Sequence, residues 1–188
     1  MNQIAGFYWL DFLIFFLVIA SMAIGYTQGL LRQVIALAAL YIGTVLGAQY
    51  YAVVSSWIRA VLFDPTANQF QDAFAFFVIL VVVSSIINWL AYDAYRATKL
   101  QFSPLVDQLG GVLLGLVTVM IFISIAHPIV AFATTEAWPW GDSVRQYINL
   151  GMRYSRVLPI FDALNPALSA SVGFWMHTSL PPFFNLTR

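Results

Sequence analysis

Cysteine is absent from the chain, which excludes disulfides, thiolate nucleophiles and cysteine-ligated metals at the outset. Charge is scarce. Only 9% of the 188 residues are Asp, Glu, Lys or Arg, against about 25% in an average soluble domain. Eight basic and eight acidic residues cancel, so the electrostatic footprint of a nucleic-acid binder is missing. No Ser/His/Asp arrangement, no paired acids within one apolar run and no glycine-rich phosphate loop occurs. The chain therefore reads as non-enzymatic, with no catalytic residue, cofactor, metal or soluble small-molecule substrate. The first ten residues contain no Lys or Arg. That argues against a cleaved signal ending near Ser21-Met22-Ala23 and for a retained first helix.

What is present is apolar. Hydrophobic residues make up 61% of the chain, too many for a surface facing water, so lipid is its natural solvent. A bilayer core about 30 Å thick needs about 20 apolar helical residues. Four stretches approach that length: 7–24, 30–51, 73–92 and 105–127. Pro128 is expected to end the fourth. The third is rich in β-branched residues, but in lipid the backbone must satisfy itself internally, which favours helix over an open strand. The architecture expected is all-α and membrane-integral. Residues 1–128 form four transmembrane helices, and residues 129–188 form a tail of interfacial amphipathic helices.

The first two helices are separated only by Gly25-Tyr26-Thr27-Gln28-Gly29, short enough for an antiparallel hairpin. The short loops after the first and third helices carry Arg32, Arg96 and Lys99, whereas the loop after the second carries only Arg59. The bias of basic residues toward the cytoplasm then places both termini outside it. The arginines of the tail oppose that orientation.

In the tail, Trp138 and Trp140 flank a turn-forming proline, a cluster suited to the membrane–water boundary. Asp142 is placed to cap an amphipathic helix over about 143–158. Arg145, Asn149, Arg153 and Arg156 form its polar stripe, directed at headgroups or at an acidic partner, with Val144, Tyr147, Ile148, Met152 and Val157 largely opposite. A second short element over about 166–177 offers Phe174 and Trp175 for the same purpose. The following Pro181-Pro182 cannot continue a helix.

Small residues four apart are the clearest motif. Ala39, Gly43 and Gly47 lie along the second helix, and Gly111 and Gly115 along the fourth. Such stripes let helix backbones approach closely, either within the chain or between copies. Packing within the chain is the simpler account. Asp11, one turn inside the first helix, sits where a carboxylate caps a helix, so a capping role outweighs proton handling. Ser84, Ser85 and Asn88 suit interhelical hydrogen bonding better than permeation. His127 and His177 have no second ligand at metal or porphyrin spacing and read as interfacial histidines.

Taken together, Trp9-Leu10-Asp11-Phe12, Gly29-Leu30-Leu31-Arg32, Ala48-Gln49-Tyr50-Tyr51 through Trp57, and Asp107-Gln108-Leu109-Gly110 with Gly115 resemble the bacterial colicin V production protein family (CvpA-like) over about residues 5–125. The resemblance implies a small multi-pass inner-membrane protein linked to colicin V production and envelope physiology, with no defined biochemical activity. Four positions depart from the pattern. Gln28, Gln33, Gln108 and Val117-Thr118 stand where the family tends to carry charge. The resemblance implies a role in export, transport or envelope maintenance. The neutral substitutions and the aromatic tail suit an alternative, an accessory subunit of a respiratory or photosynthetic assembly. In either case the partners expected are the lipid bilayer and other membrane protein chains.

Overall fold

The computed structural model describes residues 8–62, 68–97, 104–138, 141–176 and 180–184. Seven helices follow in order among these residues: α1 (Trp9–Gln28), α2 (Leu30–Leu62), α3 (Asn68–Ala97), α4 (Pro104–Ala133), α5 (Asp142–Tyr154), α6 (Leu158–Asp162) and α7 (Asn165–Gly173). A 3₁₀ turn, Pro182–Phe184, comes last. The first four are long and apolar enough to cross a membrane.

α1 has 20 residues and just matches a bilayer core, whereas α2 has 33 and runs about 50 Å. The apolar run of α2 ends near Tyr51, but no glycine or proline interrupts the chain before Pro65, so the helix continues. α4 also outlasts the sequence expectation: it runs through Pro128 to Ala133. Proline removes one backbone amide and displaces one carbonyl, a loss that packed membrane helices absorb. Pro128 is buried among its neighbours.

Neighbours in sequence are not the main neighbours in space. α1 packs chiefly on α4, α2 packs on α3 and then on α4, and α1 touches α2 only slightly. The connection after α1 thus joins two helices that α4 holds apart, and the expected hairpin is not a packed pair. α4 belongs to both cores. One joins Leu40, Phe76, Leu80, Ile129, Phe132 and Val172 to Phe183 and Phe184 of the final turn. The other joins Ile14, Val119 and Ile123 to Leu158 and Phe161 of α6.

The tail is folded into the bundle. Phe183 is 0% exposed, with its ring 5.3 Å from that of Phe76, 5.2 Å from Tyr51 and 5.8 Å from Phe132. α7 descends beside α2: Tyr41 donates its hydroxyl proton to the Ser171 carbonyl (3.2 Å), and Gln49 Nε2 donates to the Trp175 carbonyl (3.0 Å). Tyr41 stands eleven residues into α2, about 16 Å along its axis. The end of α7 therefore lies well within the span of the bundle. Carbonyls at that depth need protein donors because lipid offers none.

Candidate functional site: an open cleft among the four helices

The small-residue stripes set the helix spacings that shape the site. A Cβ on Gly25 would fall 2.2 Å from the Gly111 carbonyl oxygen, and one on Gly111 would fall 2.1 Å from that of Gly25. Ser21 Oγ donates to the Gly115 carbonyl at 2.7 Å. Gly111 and Gly115 therefore receive Ser21 and Gly25 of α1. On the other side, Gly43 faces Leu80 and Ser84 of α3, Gly47 lies under the Phe76 ring, and Ala39 accepts from Ser84 Oγ at 3.1 Å. Both stripes are filled from within the chain.

Three carboxylates fasten the ends of the bundle. Asp11 is fully buried and completes the first turn of α1 by accepting from Tyr8 N–H at 2.9 Å. Its other oxygen accepts from Ser155 Oγ (2.5 Å) and from the Arg156 and Val157 amides (3.2 and 3.3 Å), which fixes the turn between α5 and α6. Asp107 of α4 accepts from Leu30 N–H at 2.9 Å and so caps α2 from a different helix. Beside it Gly29 takes φ +81°, a conformation that favours glycine, and any Cβ there would strike the Asp107 carboxylate. Asp72 pairs with Ser55 and with Arg59, where α2 and α3 extend past the length of α1.

The tail residues singled out in the sequence are distributed unevenly. Arg145 turns inward rather than toward the headgroups: it pairs with Asp142 at 2.6 Å and donates to the Thr134 carbonyl at 3.1 Å. Asn149 donates to the same carbonyl, so the two close the C-terminal end of α4, where positive charge is favoured. Arg145 and Gln146 hold the Asp142 carboxyl below the usual carboxylate range. α5 begins after Gly141, so Asp142 lies in its first turn and does not cap it. Arg153 and Arg156 are exposed. Trp138 donates Nε1–H to the Ala133 carbonyl at 2.8 Å, and Trp175 donates to the Tyr41 hydroxyl at 3.0 Å. Trp140 and His177 lie outside the described residues.

His127 does have a companion, one that sequence spacing hides. Its Nδ1 lies 2.6 Å from Asp162 Oδ1, which also accepts from Asn165 Nδ2 at 3.2 Å. The imidazole borders an apolar recess of about 220 Å³ between α1, α4 and α5. The pair joins α4 to α6. Among the described residues no three His, Asp or Glu side chains converge as metal ligands would.

All four long helices contribute to a cleft of about 500 Å³. Leu17, Ser21 and Ile24 of α1 form one wall, and Val81, Ser84 and Asn88 of α3 the other. Leu40 of α2 with Thr118 and Phe122 of α4 lie between them. Its size falls in the ordinary range for small-molecule sites. The hydroxyls of Ser21, Ser84 and Thr118 each donate to a helix carbonyl, and Asn88 Nδ2 donates to the Ser84 carbonyl. Among the described residues no titratable side chain lines the cleft. A smaller recess of about 170 Å³ adjoins it through Asn88 and is bordered by Gln28, Arg32, Ile35 and Ala91.

The model of the family described as colicin V production protein matches residues 10–166, which takes in α1 to α6 and all three carboxylate anchors, Asp11, Asp72 and Asp107. The chain belongs to the colicin V production protein family. With its four spanning helices it is a multi-pass membrane protein of that family. No curated protein and no solved structure matches the chain. Of the positions that depart from the family pattern, Thr118 lines the cleft, Gln28 borders the recess and Gln33 is buried.

Proposed function

We propose that this colicin V production family member works in the bacterial inner membrane as a non-catalytic binding protein for export or envelope maintenance, its termini outside the cytoplasm. The supporting observation is that the bundle satisfies itself. Both small-residue stripes are filled by its own helices, and Phe183 and Phe184 close its own core. Of the surfaces that suggested a subunit of a respiratory or photosynthetic complex, the small-residue stripes and Phe183–Phe184 are thus filled by the chain itself, while Phe174 stays exposed. The exposed aromatics left over, such as Trp57 and Trp89, are suited to lipid.

Purification in a gentle detergent, with mass measured by light scattering, tests the reading. The expected result is a particle in which this 21.0 kDa chain is the sole protein. Stoichiometric co-migrating chains of an energy-converting complex would instead establish the subunit role. Truncating residues 178–188 is a poor substitute, since that also removes the Phe183 ring from the core.

A further inference from the structure

We propose that the cleft binds an anionic phospholipid of the bilayer, its phosphate at the Gln28–Arg32–Asn88 recess and one acyl chain along the trough between α1 and α3. The inference goes beyond the export reading and does not depend on it.

The first argument is the order of chemistry with depth. Arg32 stands two residues into α2, beside the Gly29 turn, at the edge of the spanning segment. Asn88 is shared by recess and cleft. Ser84 lies one turn further in along α3, about 6 Å deeper. Beyond it the lining is Leu80, Leu17 and Phe122. Cation, amide, hydroxyl and hydrocarbon thus succeed one another from the edge inward, matching a phospholipid's phosphate, ester and acyl regions.

Charge supplies the second. Among the described residues, the recess is bordered by one guanidinium and two carboxamides and by no carboxylate. A guanidinium fork with amide donors suits a phosphate, whereas none of the described lining residues offers a choline or ammonium headgroup an anion. Arg32 also makes another interaction, and its five N–H donors allow more than one contact at a time. A free phosphate would leave the trough empty, whereas an attached chain occupies it.

The test uses the full-length protein in neutral detergent. Phosphatidylglycerol, phosphatidylcholine and inorganic phosphate are added in turn, and binding is followed by thermal shift and native mass spectrometry. Phosphatidylglycerol alone should stabilise the protein and remain bound in the spectrometer. Arg32→Gln should weaken it roughly tenfold, about what the loss of one charged hydrogen bond implies, and Arg32→Lys should recover much of that. Ser85→Phe, which fills the trough from α3, should also abolish binding. If that variant does not fold, Val81→Phe serves, because Val81 is already 56% exposed. Equal shifts with phosphatidylcholine or with inorganic phosphate would overturn the proposal. So would undiminished phosphatidylglycerol binding in either the Arg32→Gln or the trough-filling variant, or a stoichiometric second protein chain protecting the cleft.

Discussion

Replacing Asp11 by alanine would strand three backbone amides together, those of Tyr8, Arg156 and Val157. An unpaired amide costs about 1–3 kcal/mol when buried, and these three are part-buried, so Asp11→Ala should destabilise the protein by about 1–3 kcal/mol in all. Thermal unfolding in detergent should show Ser155→Ala to be milder, since it leaves the three amides paired. The glycines separate in the same way. A Cβ at Gly25 meets backbone at 2.2 Å, but one at Gly47 meets the Phe76 ring at 3.0 Å, which can shift. Gly25→Ala should therefore cost more than Gly47→Ala, with overpacking typically worth about 1–3 kcal/mol. An equal loss at both sites would contradict the close crossing of α1 and α4. Much of this was legible in advance. Gly43, Gly47, Gly111 and Gly115 declare close packing by their spacing, and Asp11 declares a cap by its position. The partners were not legible. Ser21 and Gly25 carry the same four-residue spacing but stand on a helix without a glycine pair. Two of the amides that Asp11 holds, those of Arg156 and Val157, are separated from it by about 145 residues of chain.

Among the elements, α5 tests how far periodicity alone can be trusted. The helix expected over 143–158 ends at Tyr154, leaving Arg156 in the turn to α6. Of the three stripe residues it keeps, two face protein, because the open carbonyls at the end of α4 compete with water for Arg145 and Asn149. Spin labels at Arg153 should be water-accessible, while labels at Asn149, Ile148 and Met152 should be shielded. Uniform accessibility along the helix would remove this placement. The Asp142 carboxyl provides a second handle. Its folded pKa lies below the ordinary value of about 4, so its contribution is present above that pH and is lost as pH falls through the lower, folded value. Melting curves of the native protein and Asp142→Asn should differ at pH 6 and converge as the medium becomes strongly acidic. High salt should narrow the difference throughout. The continuation of α4 past Pro128 was not readable from the sequence, because whether a proline ends a helix depends on what packs around it. Here the surroundings bury it.

At the scale of the molecule, the proposed orientation, with four spans and both ends outside the cytoplasm, makes a direct topological prediction. Reporter fusions after residues 28 and 100 should read the cytoplasm, and those after 62 and 188 the opposite compartment. Agreement between 28 and 188 would mean that a span has been miscounted. Composition and length made the count of spans legible, since four apolar runs have few other solutions. The pairing of spans was hidden, because hydropathy carries no information about which apolar face meets which.

The pairing of α1 with α4 also imposes a sequence of events on the ribosome. Gly25 and Gly111 are 86 residues apart, whereas Gly43 and Ser84 are separated by 41. At about 5–20 residues per second, α1 waits in the bilayer for roughly 4–17 s after its own synthesis before its partner exists. Meanwhile α2 and α3 can already meet. The nascent chain therefore passes through a state with one assembled helix pair and one lone helix whose Gly25 face touches only lipid. α4 ends that state by wedging between the two. Any chain cut short before Gly111 would leave the Gly25 face of α1 without the helix it packs against.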